Sequence, residues 1–467
     1  MNTLYAFINF IKDNGINGEI ISKLIELHKN DRARMLNLYQ RYKADIDGVP
    51  ILQRKPIEYD ENFETGGNVR RIDNKVNNTL NNSFDAEIVD TKIGYLLGHP
   101  ISYSSEKDIL QQAATEFIVR NNAEDADAEL GKKTAICGKG ARLLYINKDG
   151  KESMRNIDPW ETIFLTEASI TEPTFALRYY PVSELLNGEE KQRWMAEFYD
   201  ETKVYYYKSN NEGSKFEYVK EKPHMFEYCP LFGPPNNEEM KGDAEKVLNL
   251  IDAYDRTVSD ANNEIEQYRL AYLILKGVGV DEETMNEMKR SGVFQLMDEK
   301  EDLKYLTKDV NNKMIEDHLN RLEENIMRFA KSVNFSDEKF AGTASGVALK
   351  FKMLGLENKS IVMERKMSSA LRYQFKVLCS AWSKRKAIKQ EDYLDIWFGF
   401  KRNLPMNILE EADASLKLKG MVSEETRLSL LSFIDDVGYE IKMMEEDKDA
   451  YFKDNPVNER TEIPIEE

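Results

Sequence analysis

The sequence predicts an α+β chain, mainly helical, made of several parts. Three observations carry that prediction. Two stretches between Glu238 and Phe329 place apolar residues at alternating steps of three and four, the mark of a helical seam. From Ala135 to Tyr218 the pattern changes to short aromatic and β-branched runs separated by turn residues, as in an antiparallel sheet. A Gly/Ser-rich loop ending at Gly346 then leads into a long helical segment that starts at Val347. With 467 residues, 41% of them hydrophobic, the chain can bury large cores and divide into roughly three domains.

In chain order, the apolar run Leu4–Ile11 has no basic residues before it and is interrupted by Lys12 and Asp13, so it reads as neither a secretion signal nor a membrane span. Ile16–Asp45 reads as an amphipathic helix, with Ile21, Leu24, Ile25, Leu27, Met35, Leu36 and Leu38 among charged residues. Gly48–Arg70, carrying Pro50, Pro56 and the Gly66–Gly67 pair, reads as a loop or extended arm. The Asn-rich stretch Asn77–Phe84 starts a capped helix that stops at Gly98, before Pro100. Strands are expected at Ala141–Ile146, Thr162–Leu165, Phe175–Tyr180, Met195–Tyr199 and Lys203–Tyr207, with a turn at Lys148–Gly150. Tyr205, Tyr206 and Tyr207 are assigned to sheet packing, because no basic groove accompanies them for base stacking.

The first seam consists of Val247, Ile251, Tyr254, Val258, Ala261, Ile265 and Tyr268, and the second of Ile315, Leu319, Leu322, Ile326 and Phe329. They bracket Leu270–Val310, which holds β-type runs at Leu270–Leu275 and Val293–Met297 and the breakers Gly277, Gly279 and Gly292. The implied geometry is a small module at the end of a two-helix stalk; a plain helical hairpin is the simpler alternative. From Glu238 to Tyr268 nine acids face three bases, leaving a negative side opposite the seam. After the second seam, Thr343 and Ser345 both suit a helix N-cap, and Val347, Phe351, Leu354, Ile361 and Met367 keep helical spacing, with Gly355 a kink point. A helix reaching Arg372 would span on the order of 40 Å. Lys352, Lys359 and Lys366 recur every seven residues on one face of it. Ser383–Lys386 reads as a solvated basic helix end, Tyr393–Phe400 as a strand, and Met406–Lys419 as a helix stopped by Gly420. Ser423 caps a last helix that Leu428, Leu431, Ile434, Val437 and Ile441 continue.

Composition and motifs exclude several functions. A formal charge of −18 repels free nucleic acid from the protein as a whole, although DNA can still slide through a passage to which it does not stick. Cys137, Cys229 and Cys379 are odd in number and widely spaced, as expected of a reducing compartment without a disulfide framework. Gly131–Thr134 and Cys137–Gly140 lack the full phosphate-loop pattern and read as turns. His224 and Cys229 have no second ligand pair, so no zinc site follows. No nucleophile and base can be paired, and no cofactor or catalytic residue is assigned.

The run Phe340–Phe351 resembles the loop-and-helix signature of the portal proteins of tailed bacteriophages, in the group found in siphophages of Gram-positive hosts. Asn77–Ile101 resembles a second segment of that family, and Asn236–Asp243, Leu250–Tyr254 and Ser259–Asn262 resemble its approach to the first stem helix; Cys229–Pro235 departs from it by extra Gly and Pro. The resemblance implies a portal fold: an N-terminal wing (1–235), a first stem helix (236–269), a small α/β clip (270–310), a second stem helix (311–332), a tunnel loop (333–346), a long helix returning to the wing (347–403), and a helical crown with an acidic tail (404–467). The tunnel-loop residues would be Asn334, Ser336, Asp337, Glu338, Lys339, Phe340, Gly342, Thr343, Ser345 and Gly346, and the lysine stripe would face DNA, a neighbouring subunit or plain solvent. It further implies a homo-dodecameric ring at one capsid vertex of the virion, assembled in the host cytoplasm. Double-stranded DNA would pass through it, with the terminase large subunit, a head-completion (adaptor) protein, and the major capsid and scaffolding proteins as partners, and no membrane. The alternative is a cytosolic helical scaffold or adaptor without DNA translocation; an enzyme is the least supported reading.

Overall fold

A computed structural model describes residues 2–55, 76–186, 189–211, 215–268, 272–276, 302–306, 312–334, 346–403, 408–431, 434 and 437–454. The chain divides into two units, 1–402 and 403–467. In the first, α1 (Asn2–Asn14) and α2 (Gly18–Tyr42) precede α3 (Phe84–Leu97), β1 (Ser102–Ser104), α4 (Asp108–Arg120) and α5 (Ala123–Cys137). A run of strands follows: β2 (Arg142–Ile146), β3 (Glu152–Asn156), β4 (Thr162–Ser169), β5 (Glu172–Leu186), β6 (Glu189–Tyr199), β7 (Lys203–Ser209), β8 (Glu217–Pro223) and β9 (Leu231–Phe232). Then come α6 (Leu248–Tyr268), β10 (Tyr272–Lys276), β11 (Asp302–Leu306), α7 (Asn312–Ala330), α8 (Gly346–Trp382) and β12 (Trp397–Gly399). The second unit holds α9 (Ile408–Leu418), α10 (Glu424–Ser429) and α11 (Val437–Asp454).

The α+β class is as expected. Among the described residues, β4 to β8 form an antiparallel meander in chain order, β3-β2-β9 a second sheet, and β1-β12 and β10-β11 two antiparallel pairs. One face of the meander is covered by α1 and α2, whose Ile8, Ile11, Ile21 and Leu24 meet Leu165, Leu177, Phe198 and Tyr207. The tyrosine run therefore packs in and around the sheet, with Tyr207 buried. A second core centres on the C-terminal half of α8, where Phe375, Leu378 and Trp382 meet Phe117 of α4 and Phe232 of β9.

Several expectations need correction. Helix α2 starts at Gly18, because the Asn17 side chain accepts from the amides of Glu19 and Ile20, and it exposes Leu27 while burying His28 and Arg41. Gly131–Thr134 is no turn but part of α5; a Cβ at Gly131 would lie 2.2 Å from Leu97 Cδ1, so this glycine permits close approach of α3. Of Cys137–Gly140, Cys137 closes α5, Gly138 follows in the left-handed region at φ +90°, and Lys139 bridges to Pro235. Of the expected strand Tyr393–Phe400 only Trp397–Gly399 pairs, with β1, because Gln390–Asp395 winds into a 3-10 turn whose Asp392 accepts from the Lys389 amide. The last helix is two helices, α10 and α11. The basic run at Ser383–Lys386 is not simply solvated: Lys384 pairs with Glu227, Arg385 with Glu152 and Lys386 with Glu116. The arm at 56–70, the β-type run Val293–Met297 and tunnel-loop positions 335–345 lie outside the described residues.

Candidate functional site

The long helix and the two seam helices meet at one place, where α6 and α7 leave the body. Val247 and Ile251 of this root pack with Ile326, Met327 and Ala330 of α7 and with Phe84 and Ile88 of α3; Tyr254 lies against the cluster edge-on to Phe84. Leu322 and Ile326 are buried, Val258, Ile315 and Leu319 half-buried, and Ile265 is 64% exposed. The seam thus closes at its root and opens toward its far end, where β10 and β11 pair.

A second buried face of α6 was not anticipated from the apolar pattern. Asp255, Ser259 and Asn263 recur every four residues and are all buried, although polar. Each accepts from the backbone of the Asn-rich stretch: the Asn82 amide donates to Asp255 Oδ1 at 3.0 Å, the Leu80 amide to Ser259 Oγ at 2.9 Å, and the Asn78 amide to Asn263 Oδ1 at 2.8 Å. The Asn82 and Asn78 side chains add a donor each to the same acceptors. The Asn residues therefore do not cap α3, whose preceding Ser83 makes no side-chain cap; they strap the segment before α3 to α6. Beside the strap, Arg41 of α2 is buried between Asp85, at 3.0 Å, and Asp252, at 2.8 Å.

A buried charge cluster ties the root to α8. Lys92 of α3 donates to Asn236 Oδ1 at 2.7 Å and lies 3.0 Å from Asp243 Oδ2; Lys359 of α8 lies 3.3 Å from Asp243 Oδ1 and donates to the Ala330 carbonyl at 2.8 Å. Asn236 donates to Asp243 Oδ1 at 2.9 Å. Burial works to raise the Asp243 carboxyl, but Lys92, Lys359 and the Asn236 amide outweigh it and hold the group below its usual range. Burial pushes both ammonium groups down, Lys359 to about 8, against the pull of Asp243. Two lysines share one carboxylate, so the cluster holds one more basic group than acidic.

These placements decide what the lysine stripe can do. Lys359 points into the root, Lys366 pairs with Glu238 of the same chain, and Lys352 is on the surface. Helix α8 runs unbroken through Gly355 for 37 residues, about 55 Å, well past Arg372. Its buried side is Met353, Leu356, Ser360, Met363, Met367 and Ala370, whereas Phe351 and Leu354 are exposed. Among the described residues no group of His, Cys, Asp and Glu is placed to hold a metal, and no helix is long and apolar enough to cross a membrane.

Residues 21–453 match the family model of the phage portal protein, SPP1 Gp6-like. The chain belongs to that portal protein family. Among curated relatives it is 25% identical over 451 residues to the portal protein of Bacillus phage SPP1, covering 92% of this chain and 86% of that one. It is 24% identical over 424 residues to the portal protein of Clostridium phage phiCD119, covering 85% and 92%. Membership makes this portal-family chain a structural phage protein rather than an enzyme. Sequence reasoning missed the polar stripe, the buried Lys92–Asp243–Lys359 cluster and the strap. The signal for the strap was present, since Asn78, Leu80 and Asn82 alternate as Asp255, Ser259 and Asn263 step by four.

Proposed function

We propose that the chain assembles into a homo-dodecameric ring at a unique capsid vertex and serves as the conduit for packaging and ejection of double-stranded DNA. On this reading α6 and α7 are the stem, residues 270–310 with the β10–β11 pair are the clip on which the terminase large subunit and then the head-completion protein dock, and 333–346 is the tunnel loop. Residues 1–235 contribute the wing, 347–403 the long helix and its return, and 404–467 the crown, facing the capsid and scaffolding proteins. One observation supports this best: a seamed helix, an antiparallel strand pair, a second seamed helix and a 37-residue helix follow one another in a chain matched to the portal family over 21–453. The acidic balance of the chain suits a channel wall to which phosphates do not adhere. Electron microscopy of the purified protein tests the reading: rings with a central channel are expected, and compact monomers or rods at all concentrations refute it. In a salt-titrated binding assay the ring should hold duplex DNA weakly at physiological salt; submicromolar affinity contradicts a non-adhesive lumen.

A further inference from the structure

Among the described residues one side of α8 has no cover. Phe351, Leu354, Asn358, Val362, Arg365, Ser369 and Arg372 follow one another at steps of three and four, and all are exposed, Phe351 at 73%, Leu354 at 51% and Val362 at 42%. Such a row is a continuous helix ridge about 32 Å long. Apolar residues dominate its first half and arginines its second. Arg365 has no hydrogen bond or ion pair among the described residues, and Arg372 only lies over the Phe398 ring at 5.8 Å. At its centre the ridge forms one wall of a cleft of about 620 Å³, with Ile170 and Thr171 of the β4–β5 turn and Glu238 and Glu239 as the other walls.

We propose that this ridge and its cleft are a subunit contact, covered by an acidic surface of a second copy of the chain; the inference rests on the ring reading above. Charge complementarity selects the occupant. The ridge carries two arginines and no carboxylate, while the chain as a whole carries 83 acids against 65 lysines and arginines. Pairing of the ridge with its own image would set Arg365 and Arg372 against like charges, and Glu238 on the cleft wall is already paired with Lys366; the contact is therefore heterologous, between unlike faces, the kind that closes into a ring when the rotation between copies closes. Size agrees as well: an interface side of about 800 Å² is roughly 28 Å across, close to the length of the ridge. Apolar Phe351, Leu354 and Val362 would supply the dry centre, and Arg365 and Arg372 the orientation.

The test is the double variant Arg365→Glu/Arg372→Glu in the full-length chain, with Lys148→Glu on the β2–β3 turn as control, followed by light scattering on a sizing column and by circular dichroism. Expected are rings for the wild type and the control, and at least a tenfold loss of assembly for the double variant with an unchanged folded spectrum. Undiminished rings in the double variant overturn the proposal and leave the ring reading standing. A double variant that fails to fold also overturns it, because the arginines then serve the chain's own structure. A wild type that never assembles overturns the ring reading itself, and this inference with it.

Discussion

Removing the single anion of the root cluster should be far more harmful than removing either cation. Asp243→Asn keeps the shape and the chance of a hydrogen bond to Asn236, but it leaves the ammonium groups of Lys92 and Lys359 facing one another. Both now touch the same oxygen at 3.3 Å, so they sit within about 7 Å of each other. At an effective dielectric constant near 20 their repulsion is about 2 kcal/mol, and with the lost attraction the expected cost is about 3–5 kcal/mol. Lys359→Met removes the surplus basic group and should cost no more than about 1 kcal/mol near pH 7. The pH dependence has a definite sign. The Lys359 ammonium loses its proton near 8 when folded, against an ordinary value of 10.5, so the penalty of burying its charge is fully present below pH 8 and is relieved as the pH rises toward 10.5. Wild type should therefore gain about 3 kcal/mol over that window relative to Lys359→Met. Hydrogen exchange of the α3 and α8 amides reads these changes locally. Equal losses for Asp243→Asn and Lys359→Met, or parallel pH curves for wild type and Lys359→Met, would refute the charge count.

Ile251→Ala should cost about 2–4 kcal/mol, because this side chain is fully buried where α6 meets α7 and α3, whereas Ile265→Ala should cost less than about 0.5 kcal/mol in the unassembled chain; equal losses in a denaturant titration would show the seam to be misread. Ser259→Ala removes the acceptor of the Leu80 amide and should cost about 1–3 kcal/mol, seen as faster exchange of that one amide; unchanged protection would mean that the strap is held elsewhere. Gly342→Pro with Gly346→Ala stiffens the proposed tunnel loop, and assembled rings that package less DNA are the expected result. Normal packaging would remove the loop from the mechanism.

Much of the layout was legible in the sequence because it rests on period and punctuation. Val247 and Ile251 mark by spacing alone the place where α6 packs on α7, Gly98 and Gly420 stop their helices, and the Asp149–Gly150 turn joins β2 to β3. The rest was hidden for physical reasons. Helix α8 has apolar residues on two sides, Met353 and Leu356 on one and Phe351 and Leu354 on the other, so periodicity could not tell which side faces inward. A buried polar residue leaves no mark in an apolar period, and Lys92, Asp243, Asp255 and Asn263 meet partners up to 185 positions away in the chain. Ile265 was placed in the seam by its spacing, yet nothing in the pattern shows where two helices part.

The strap on α6 sets two rulers side by side. An extended chain advances about 6.7 Å for every two residues, and a helix 6.0 Å for every four, so each successive rung drifts by about 0.7 Å. Three rungs accumulate only about 1.4 Å of misfit, which side-chain tilt absorbs; each further rung would widen the gap. Toward the body the ladder also ends chemically, since the next positions on the two rulers are Phe84 and Ile251, which meet in the apolar core. The strap is therefore a length gauge: one residue inserted between Asn78 and Asn82 would slide every later donor out of register, and the same three rungs fix where along α6 the Asn-rich stretch grips it.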